Sequence, residues 1–329
     1  MRKLAVCFSR RGQELIKKIN DACAARGIEA VTGYCCYDGA EEENGFLRAG
    51  GSAENWAKEH FSPGNALIFI GAAGIAVRAL TGLPADKLTD SPVIVIDDGG
   101  NFVIPILSGH AGGANKLAAT LAELIGAVPV ITTSTDVNGT FSADTFAAEQ
   151  RLTIADRAGI KKVSAKAIEG KSVTISVKDY PPKEPVDVIV ADETDAEYSL
   201  LLRPKRVTVG MGMKRDTDPE KLERFFLETL AENSLTPEDV YALCTIDRKE
   251  REKALLMLRD RYRIPVLSFD AGLLSKAEGE FTPSGFVEQT VGVDNVCERS
   301  AVMGAGGHAE LILKKKAADG MTIAIARRL

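Results

Sequence analysis

The sequence has 329 residues, which exceeds one ordinary hydrophobic core and predicts two or three domains. Its formal net charge is -5 and only 6% of its residues are aromatic. Both values argue against nucleic acid as the main partner, because nucleic-acid binding needs a basic surface and stacking rings. A small anionic molecule stays compatible with this composition, provided that local basic groups hold it.

Neither a membrane nor a resident metal is expected. None of the six cysteines forms a Cys-x-x-Cys pair or precedes a histidine at metal-ligand spacing. The first residues contain too short an apolar run for a signal peptide, and no run approaches ~18 apolar residues. These features predict a protein of the reducing cytoplasm.

The amino-terminal third has the pattern of an α/β layer. Residues 3–8 form an apolar strand pattern followed by a helical pattern, and residues 66–70 are fully apolar, as in buried central strands. The second strand runs into a glycine-rich turn, Gly71-Ala-Ala-Gly-Ile-Ala-Val-Arg78. This turn lacks the third glycine and the acidic partner of a dinucleotide site. Arg78 is interpreted either as a surface arginine or as an anion clamp.

A second glycine-rich turn lies in residues 104–118. The pattern predicts a strand end, a turn and a helix start, and Gly109, Gly112 and Gly113 permit positive φ angles and close backbone approach. Free N–H groups and the positive end of the helix dipole suit an anion. His110, one of three histidines, lies inside this turn. A tight connection with a capping histidine and a functional site are both compatible with the pattern.

Three predicted strand ends are candidates for one ligand crevice. Residues 93–97 and 102–107 flank Asp98-Gly-Gly-Asn101, a good hairpin turn, and residues 128–136 read as a strand ending in hydroxyls and a carboxylate. Ligands gather at the carboxyl ends of parallel strands. We therefore expect the strand ends after residues 70, 107 and 131 to converge, with Arg78, His110 and Thr133 on one side of the sheet.

The rest of the chain predicts two further domains. Residues 139–204 read as a small linking domain, and a fresh α/β pattern begins at residue 207 with strand, Gly210-x-Gly212 and helix. Thr217 and Glu220 are spaced as a capping box, and Asp294 is a candidate helix cap. The fold class is thus multi-domain α/β, with an amino-terminal α/β domain (1–138), the linking domain (139–204) and a carboxyl-terminal α/β domain with a mixed sheet (205–329).

Several enzyme classes are disfavoured by missing motifs. The chain contains no Gly-x-Ser-x-Gly nucleophile elbow and no Gly-Lys-Ser/Thr phosphate loop. Ser108 lies two residues before His110, but sequence neighbours do not make a catalytic triad. The residues by themselves indicate an enzyme or a binding protein for a small anionic molecule.

Taken together and in order, the motifs resemble the CbiG family of anaerobic cobalamin biosynthesis, the cobalt-precorrin 5A hydrolases. The resemblance covers nearly the whole chain, and its order is more specific than any single motif. It rests on Gly71-Ala-Ala-Gly-Ile-Ala-Val-Arg78, Asp86-Lys87, Ser91-Pro-Val-Ile-Val-Ile-Asp97, Leu107-Ser-Gly-His-Ala-Gly-Gly-Ala-Asn115, Val130-Ile-Thr-Thr-Ser-Thr-Asp136, Val209-Gly-Met-Gly212, Ile246-Asp-Arg-Lys249 and Val291-Gly-Val-Asp-Asn-Val-Cys-Glu298.

The resemblance implies a hydrolysis on a cobalt-bound, anionic tetrapyrrole. The ring A δ-lactone is opened and the two-carbon fragment at C20 leaves as acetaldehyde, which gives cobalt-precorrin 5B. Cobalt belongs to the substrate, so no further cofactor is expected. Neighbouring cobalamin-pathway enzymes are candidate partners, with neither nucleic acid nor a membrane involved. The oligomeric state stays open, a dimer being one alternative.

The resemblance also implies roles for particular residues. His110 is the base or proton shuttle, Gly112 and Gly113 stabilise the oxyanion through their N–H groups, and Asp136 or Glu298 takes the proton of the C20 alcohol. Anionic carboxylates of the substrate would be held by glycine-rich turns and basic groups. The expected substrate-binding residues are Gly71, Gly74, Arg78, Lys87, Ser108, Gly109, Gly112, Gly113, Asn115, Thr132, Thr133, Gly210, Gly212, Asp247 and Lys249.

Two alternatives remain at this point. A non-catalytic binding protein, or chaperone, would present the corrinoid intermediate to the next enzyme without releasing acetaldehyde. A dinucleotide-dependent enzyme is the second alternative, which the incomplete glycine fingerprint disfavours. The sequence does not indicate which domain holds the reacting centre.

Overall fold

The computed structural model of the protein describes residues 1–37, 46–86, 89–110, 112–177, 185–283, 292–306 and 309–329. The chain forms two compact units, the first comprising Met1–Gln150 and Ile154–Leu202, the second Arg151–Thr153 and Arg203–Leu329. The predicted α/β class is confirmed. Where the sequence predicted three domains, the linking segment carries a sheet of its own, and most of its residues lie in the first unit.

The first unit is built on a sheet of order β3-β2-β1-β4-β5-β6-β7. Strands β1 to β5 are parallel, β6 runs antiparallel to β5, and β7 is parallel to β6. The strands are β1 (Arg2–Cys7), β2 (Thr32–Cys35), β3 (Leu47–Arg48), β4 (Asn65–Ile70), β5 (Val93–Ile96), β6 (Phe102–Leu107) and β7 (Val128–Pro129).

Helices cover both faces of this sheet. Helices α1 (Arg10–Ala25) and α4 (Ala114–Ile125) pack on one face, and α2 (Ala53–His60) and α3 (Ala73–Ala79) pack on the other. All six residues of β4 are buried, because helices lie above and below it. The apolar run at residues 66–70 therefore marks a central strand, as its sequence predicts.

The hairpin between β5 and β6 changes the expected location of the strand ends. Val93, the first residue of β5, is paired with Leu107, the last residue of β6. The end of β6 thus lies at the opposite edge of the sheet from Gly71, which follows β4. The predicted convergence is therefore wrong for the strand end after residue 70, because a short hairpin connection reverses the chain. The ends after residues 107 and 131 do meet, since β6 and β7 are parallel.

The segment after α4 is also less strand-like than its sequence indicates. Of residues 128–136, only Val128–Pro129 forms a strand, and helix α5 (Ser134–Val137) follows. Residues 139–202 add α6 (Ala143–Glu149), α7 (Arg157–Ile168), and a sheet of order β8-β11-β10-β9. Its strands are β8 (Leu152–Ile154), β9 (Ile175–Val177), β10 (Val186–Val190) and β11 (Tyr198–Pro204).

The second unit contains the predicted mixed sheet, in the order β14-β13-β12-β16-β15. Strands β12 to β14 are parallel, whereas β15 and β16 form an antiparallel pair at one side. Its elements are β12 (Val207–Met213), α8 (Pro219–Glu232), β13 (Val240–Ile246), α9 (Lys253–Tyr262), β14 (Val266–Phe269), α10 (Ala271–Ser275), α11 (Cys297–Gly304), β15 (Ala309–Ala318) and β16 (Met321–Arg328).

Two predicted helix caps in this unit are wrong. Helix α8 is capped by Asp218, whose carboxylate accepts hydrogen bonds from two backbone N–H groups of the first turn, rather than by Thr217. Helix α11 begins at Cys297, and Asp294 instead forms a 2.7 Å ion pair with Arg299.

None of the helices in the described parts of the chain has the length and apolar character that crossing a membrane requires.

Helix α11 approaches strand β12 closely at Gly210. A Cβ atom at this position would lie 1.8 Å from the carbonyl oxygen of Cys297. Gly210 is buried, so the helix and the strand touch through their backbones. This glycine was predicted to bind substrate, but the structure gives it a packing role instead.

We expect Gly210→Ala to lower the free energy of unfolding by about 1–3 kcal/mol, because the new methyl group forces α11 off the sheet. Urea-induced unfolding followed by circular dichroism measures this change. Gly50→Ala is the matched control, since a Cβ at Gly50 meets nothing within 4 Å. Equal stability of the two variants would contradict the packing role of Gly210.

Candidate functional site

The turn after β6 is tightly folded on itself. A Cβ at Gly112 would lie 2.3 Å from the Cβ of Ser108, and Gly113 has a φ of +85° as the residue before α4. Gly113 donates its N–H to the carbonyl of His110 at 2.8 Å, and Ala114 donates to that of Ser108 at 3.1 Å. The prediction that this turn presents free N–H groups is therefore partly wrong, because two of these groups donate to carbonyls of the turn.

His110 contacts the segment that follows the sheet. Its Nε2 atom lies 2.7 Å from Oδ2 of Asp136 and 2.9 Å from Oγ1 of Thr135. Both partners belong to the short helix α5. The structure thus brings together two of the predicted catalytic residues, His110 and Asp136, although their roles stay predictions.

A second carboxylate lies on the other side of the imidazole ring. Oδ1 of Asp144 is 3.4 Å from Nδ1 of His110. Asp144 is buried at the start of α6, where its carboxylate accepts hydrogen bonds from the hydroxyl of Ser142 at 2.6 Å and the N–H of Thr145 at 3.1 Å. His110 is therefore flanked by two aspartates.

Asn115 ties these elements to helix α4. Its Nδ2 atom donates to Oγ1 of Thr133 at 3.0 Å and to Oδ2 of Asp136 at 2.8 Å. Asn115 is buried, so its amide is fixed by these partners. The residues that meet here are called the His110 cluster and comprise His110, Asn115, Thr133, Thr135, Asp136 and Asp144.

The two carboxylates raise the pKa of His110 above its ordinary value. The hydrogen bond with Asp144 contributes most, burial opposes it, and the hydrogen bond with Asp136 adds to the rise. The imidazolium form is thereby stabilised relative to that of an ordinary histidine. His110 can hold a proton between two acceptors and release it from the ring.

Ser108 adds a strained and unpartnered group beside this cluster. Its φ of +54° lies in the left-handed region, which is costly for a residue other than glycine. Its hydroxyl is buried and has no hydrogen-bond partner among the described residues. Backbone strain and unpaired polar groups concentrate at functional sites. Both features mark this turn as unusual, and the role of Ser108 in substrate binding stays a prediction, since its hydroxyl is not exposed.

Other predicted substrate-binding residues of the first unit lie elsewhere. Gly71 and Gly74 lie at the opposite edge of the sheet, and α3, which carries Arg78, packs on the opposite face from α4. Arg78 is exposed and donates to the carbonyl of Gly74 at 3.3 Å. Thr132 is exposed next to the cluster, and Lys87 lies outside the described residues.

The predicted residues of the second unit are engaged in its own structure. A Cβ at Gly212 would lie 2.5 Å from Oγ1 of Thr322 on the neighbouring strand. The ammonium of Lys249 forms a 2.8 Å ion pair with Glu252, and Asp247 is exposed. The pairing leaves Lys249 less suited to hold a substrate carboxylate than its sequence indicates.

Glu298 is a buried structural carboxylate rather than an accessible catalytic one. It has no exposed surface, and it accepts hydrogen bonds from the N–H and hydroxyl of Thr282 at 2.7 and 2.8 Å. The N–H of Lys315 donates to it at 2.6 Å. The catalytic role proposed for Glu298 is disfavoured, because these donors occupy its oxygens and no solvent reaches it.

Sequence reasoning missed Thr135 and Asp144 as members of the cluster. Thr135 fell inside the predicted strand, and Asp144 lay beyond the predicted domain boundary at residue 138. A hydroxyl next to Asp136 was the available signal for Thr135, whereas nothing local marks Asp144. Among the described residues, no group of three or more His, Cys, Asp or Glu side chains is arranged to hold a metal ion.

Comparison with known proteins identifies clear relatives. The models "Cobalamin synthesis G N-terminal" and "Cobalamin synthesis G C-terminus" match residues 55–136 and 207–326. The chain is 34% identical over 330 residues to the cobalt-precorrin-5A hydrolase of Salmonella typhimurium, covering 92% of this chain and 93% of that protein. The protein of the same name from Priestia megaterium is 29% identical over 320 residues, with coverages of 88% and 85%.

A solved structure of a cobalamin biosynthesis protein G homolog from Sulfolobus solfataricus is also similar. It has 22% sequence identity, a TM-score of 0.40, and coverages of 100% of this chain and 97% of that one.

We expect the histidines to titrate differently. His110 should titrate above 6.5 because of its two carboxylates, and His60 below 6.5 because burial disfavours its charged form. Histidine NMR spectra recorded against pH measure both values, and His110→Gln assigns the signal. The raised pKa of His110 also contributes to the stability of the fold. This contribution is fully present at low pH and is lost as the pH rises through the folded-state pKa of His110. A His110 pKa below that of His60 would contradict this arrangement.

For Glu298, we expect Glu298→Gln to lower the free energy of unfolding by about 1–3 kcal/mol, since an amide cannot accept all three hydrogen bonds. Chemical unfolding measures the stability of the variant, and enzymatic turnover per folded molecule is measured on the same preparation. Loss of turnover with unchanged stability would restore the catalytic role.

Proposed function

The chain belongs to the cobalamin synthesis G family, whose two models together match more than half of it, and we propose that it acts as a cobalt-precorrin-5A hydrolase. Support comes from two relatives with that name that align over most of the chain. Their names also favour catalysis over the alternative of a non-catalytic corrinoid chaperone.

The proposed reaction opens the ring A δ-lactone and releases the C20 fragment as acetaldehyde. Its substrate is an anionic, cobalt-bound tetrapyrrole, so cobalt arrives with the substrate and no separate cofactor is proposed. Neighbouring enzymes of cobalamin biosynthesis are proposed as partners that supply the substrate and take the product, and the protein is expected in the cytoplasm with them.

The contact between His110 and Asp136 is the observation that carries the assignment of the site. Lactone opening needs a base for the attacking water and a proton for the departing C20 oxygen. The side chain of Asp136 is 41% exposed and that of His110 is 16% exposed. Asp136 therefore takes the proton of the attacking water, and the His110 imidazolium gives a proton to the C20 oxygen as the ring carbon–oxygen bond breaks.

Fragmentation then reverses the proton transfer. The neutral imidazole takes the proton back from the C20 hydroxyl while the carbon–carbon bond breaks and acetaldehyde forms. The electron pair of that bond stays on the macrocycle, and Asp136 releases the proton of the attacking water to solvent, so that both groups return to their starting forms. His110 thus acts as the proton shuttle, which agrees with a ring held between two acceptors.

Nearby groups would hold the reacting lactone. Oxyanion stabilisation is assigned to the N–H of Gly112, because that of Gly113 is bonded to the His110 carbonyl. The buried Ser108 hydroxyl and the exposed Thr132 lie on two of the three chain segments that form the cluster and would bind substrate polar groups. A Cβ at Gly109 would lie 2.7 Å from Oδ1 of Asn115, so the glycine leaves room for that amide.

We expect His110→Ala and Asp136→Asn each to lower the rate of acetaldehyde release by about 10²-fold or more, because each removes a proton-transfer group. Purified protein is supplied with cobalt-precorrin 5A, and acetaldehyde is quantified. Thr120→Val, on helix α4 outside the His110 cluster, is the control and should keep the wild-type rate.

Binding of the substrate, followed by its absorbance spectrum, separates loss of chemistry from loss of affinity. Near-normal release by His110→Ala would overturn its role as shuttle. Substrate binding without any acetaldehyde from the wild-type protein would instead support the chaperone.

A further inference from the structure

We propose that Asp144 is a positioning residue of this site, which holds His110 through Nδ1 so that Nε2 is the atom that transfers the proton. The inference deepens the proposed hydrolase function and rests on it for the identity of the reaction. It concerns a residue that neither the sequence motifs nor the family models include, since the first matched segment ends at residue 136.

The two ring nitrogens of His110 have different surroundings. Nε2 lies against Asp136 and Thr135, and Nδ1 lies 3.4 Å from Asp144. The Asp136 side chain is 41% exposed, whereas that of Asp144 is only 8% exposed. A substrate can therefore reach the Nε2 side of the ring, but Asp144 faces the protein interior.

Asp144 is itself held in place. The same oxygen, Oδ1, accepts the Ser142 hydroxyl at 2.6 Å and the Thr145 N–H at 3.1 Å, and it faces Nδ1 of His110. Asp144 also lies in the first turn of α6, where a negative charge is favourable. The carboxylate is thus fixed before it contacts the imidazole ring.

This fixed carboxylate decides which proton the ring gives up. The 3.4 Å ion-pair contact between Nδ1 and the buried Asp144 carboxylate favours a proton on Nδ1 in both the imidazolium and the neutral state. The proton that leaves and returns is then the one on Nε2, next to Asp136 and Thr135. Asp144 has no contact with the reacting atoms in this arrangement and acts through His110.

Asp144→Asn tests this role because it removes the charge and keeps the shape. The Ser142 hydroxyl and the Thr145 N–H both donate to Oδ1. The amide oxygen of asparagine can still accept these two hydrogen bonds, so the turn is retained. We expect kcat to fall about 10- to 100-fold with KM unchanged, and the limb of the pH profile that belongs to His110 to move to lower pH. Asp21→Asn, an exposed change on α1, is the charge-matched control and should alter neither.

A second measurement does not depend on turnover. ¹⁵N NMR of the His110 ring should show the neutral wild-type ring protonated at Nδ1, and Asp144→Ala should give a mixture of both tautomers. Asp144→Asn with wild-type kcat and an unshifted pH profile would overturn the proposal, as would a neutral wild-type ring protonated at Nε2. If the wild-type protein releases no acetaldehyde, the hydrolase function fails, whereas the NMR result still decides the role of Asp144.

Discussion

The reversal of the chain between β5 and β6 fixes where the candidate site of the first unit lies. Asp97 holds this turn, since its carboxylate accepts hydrogen bonds from the N–H groups of Asn101 at 2.7 Å and Phe102 at 2.6 Å. Burial alone would raise the pKa of Asp97, but these donors hold it below its usual range. The carboxylate therefore stays charged and holds the turn that joins β5 to β6. As a consequence, the turn with His110 emerges at the amino-terminal edge of β5.

The glycine-rich turns divide into two physical kinds. Gly112 and Gly210 are required because another backbone lies where a Cβ would stand, at Ser108 in one case and at Cys297 in the other. Gly71 instead has a positive φ of 149° directly after β4. The turn around Gly112 is joined to the His110 cluster through His110 itself. A glycine-rich turn is therefore an ambiguous sign of a ligand, and its neighbours in space decide its meaning.

The His110 cluster concentrates polar groups that are expensive to bury without partners. Asn115, Thr135 and Asp144 are all buried, and each is hydrogen-bonded within the cluster or to the first turn of α6. Such a network is rigid because each member fixes the next. Three separate chain segments supply it, namely the turn before α4 with the first turn of that helix, Thr133 with helix α5, and the start of α6. The cluster therefore depends on the packing of these segments as well as on His110.

The sequence by itself determined the class of fold, the buried strand β4 and the family, because these depend on local periodicity and on ordered motifs. It also singled out His110 and Asp136, whose residue types suit proton transfer. Only the tertiary structure decided that Arg78 lies on another face, that Glu298 is buried, and that Asp144 reaches His110. The physical reason is that burial and contacts between distant segments depend on how those segments pack, which no local pattern records.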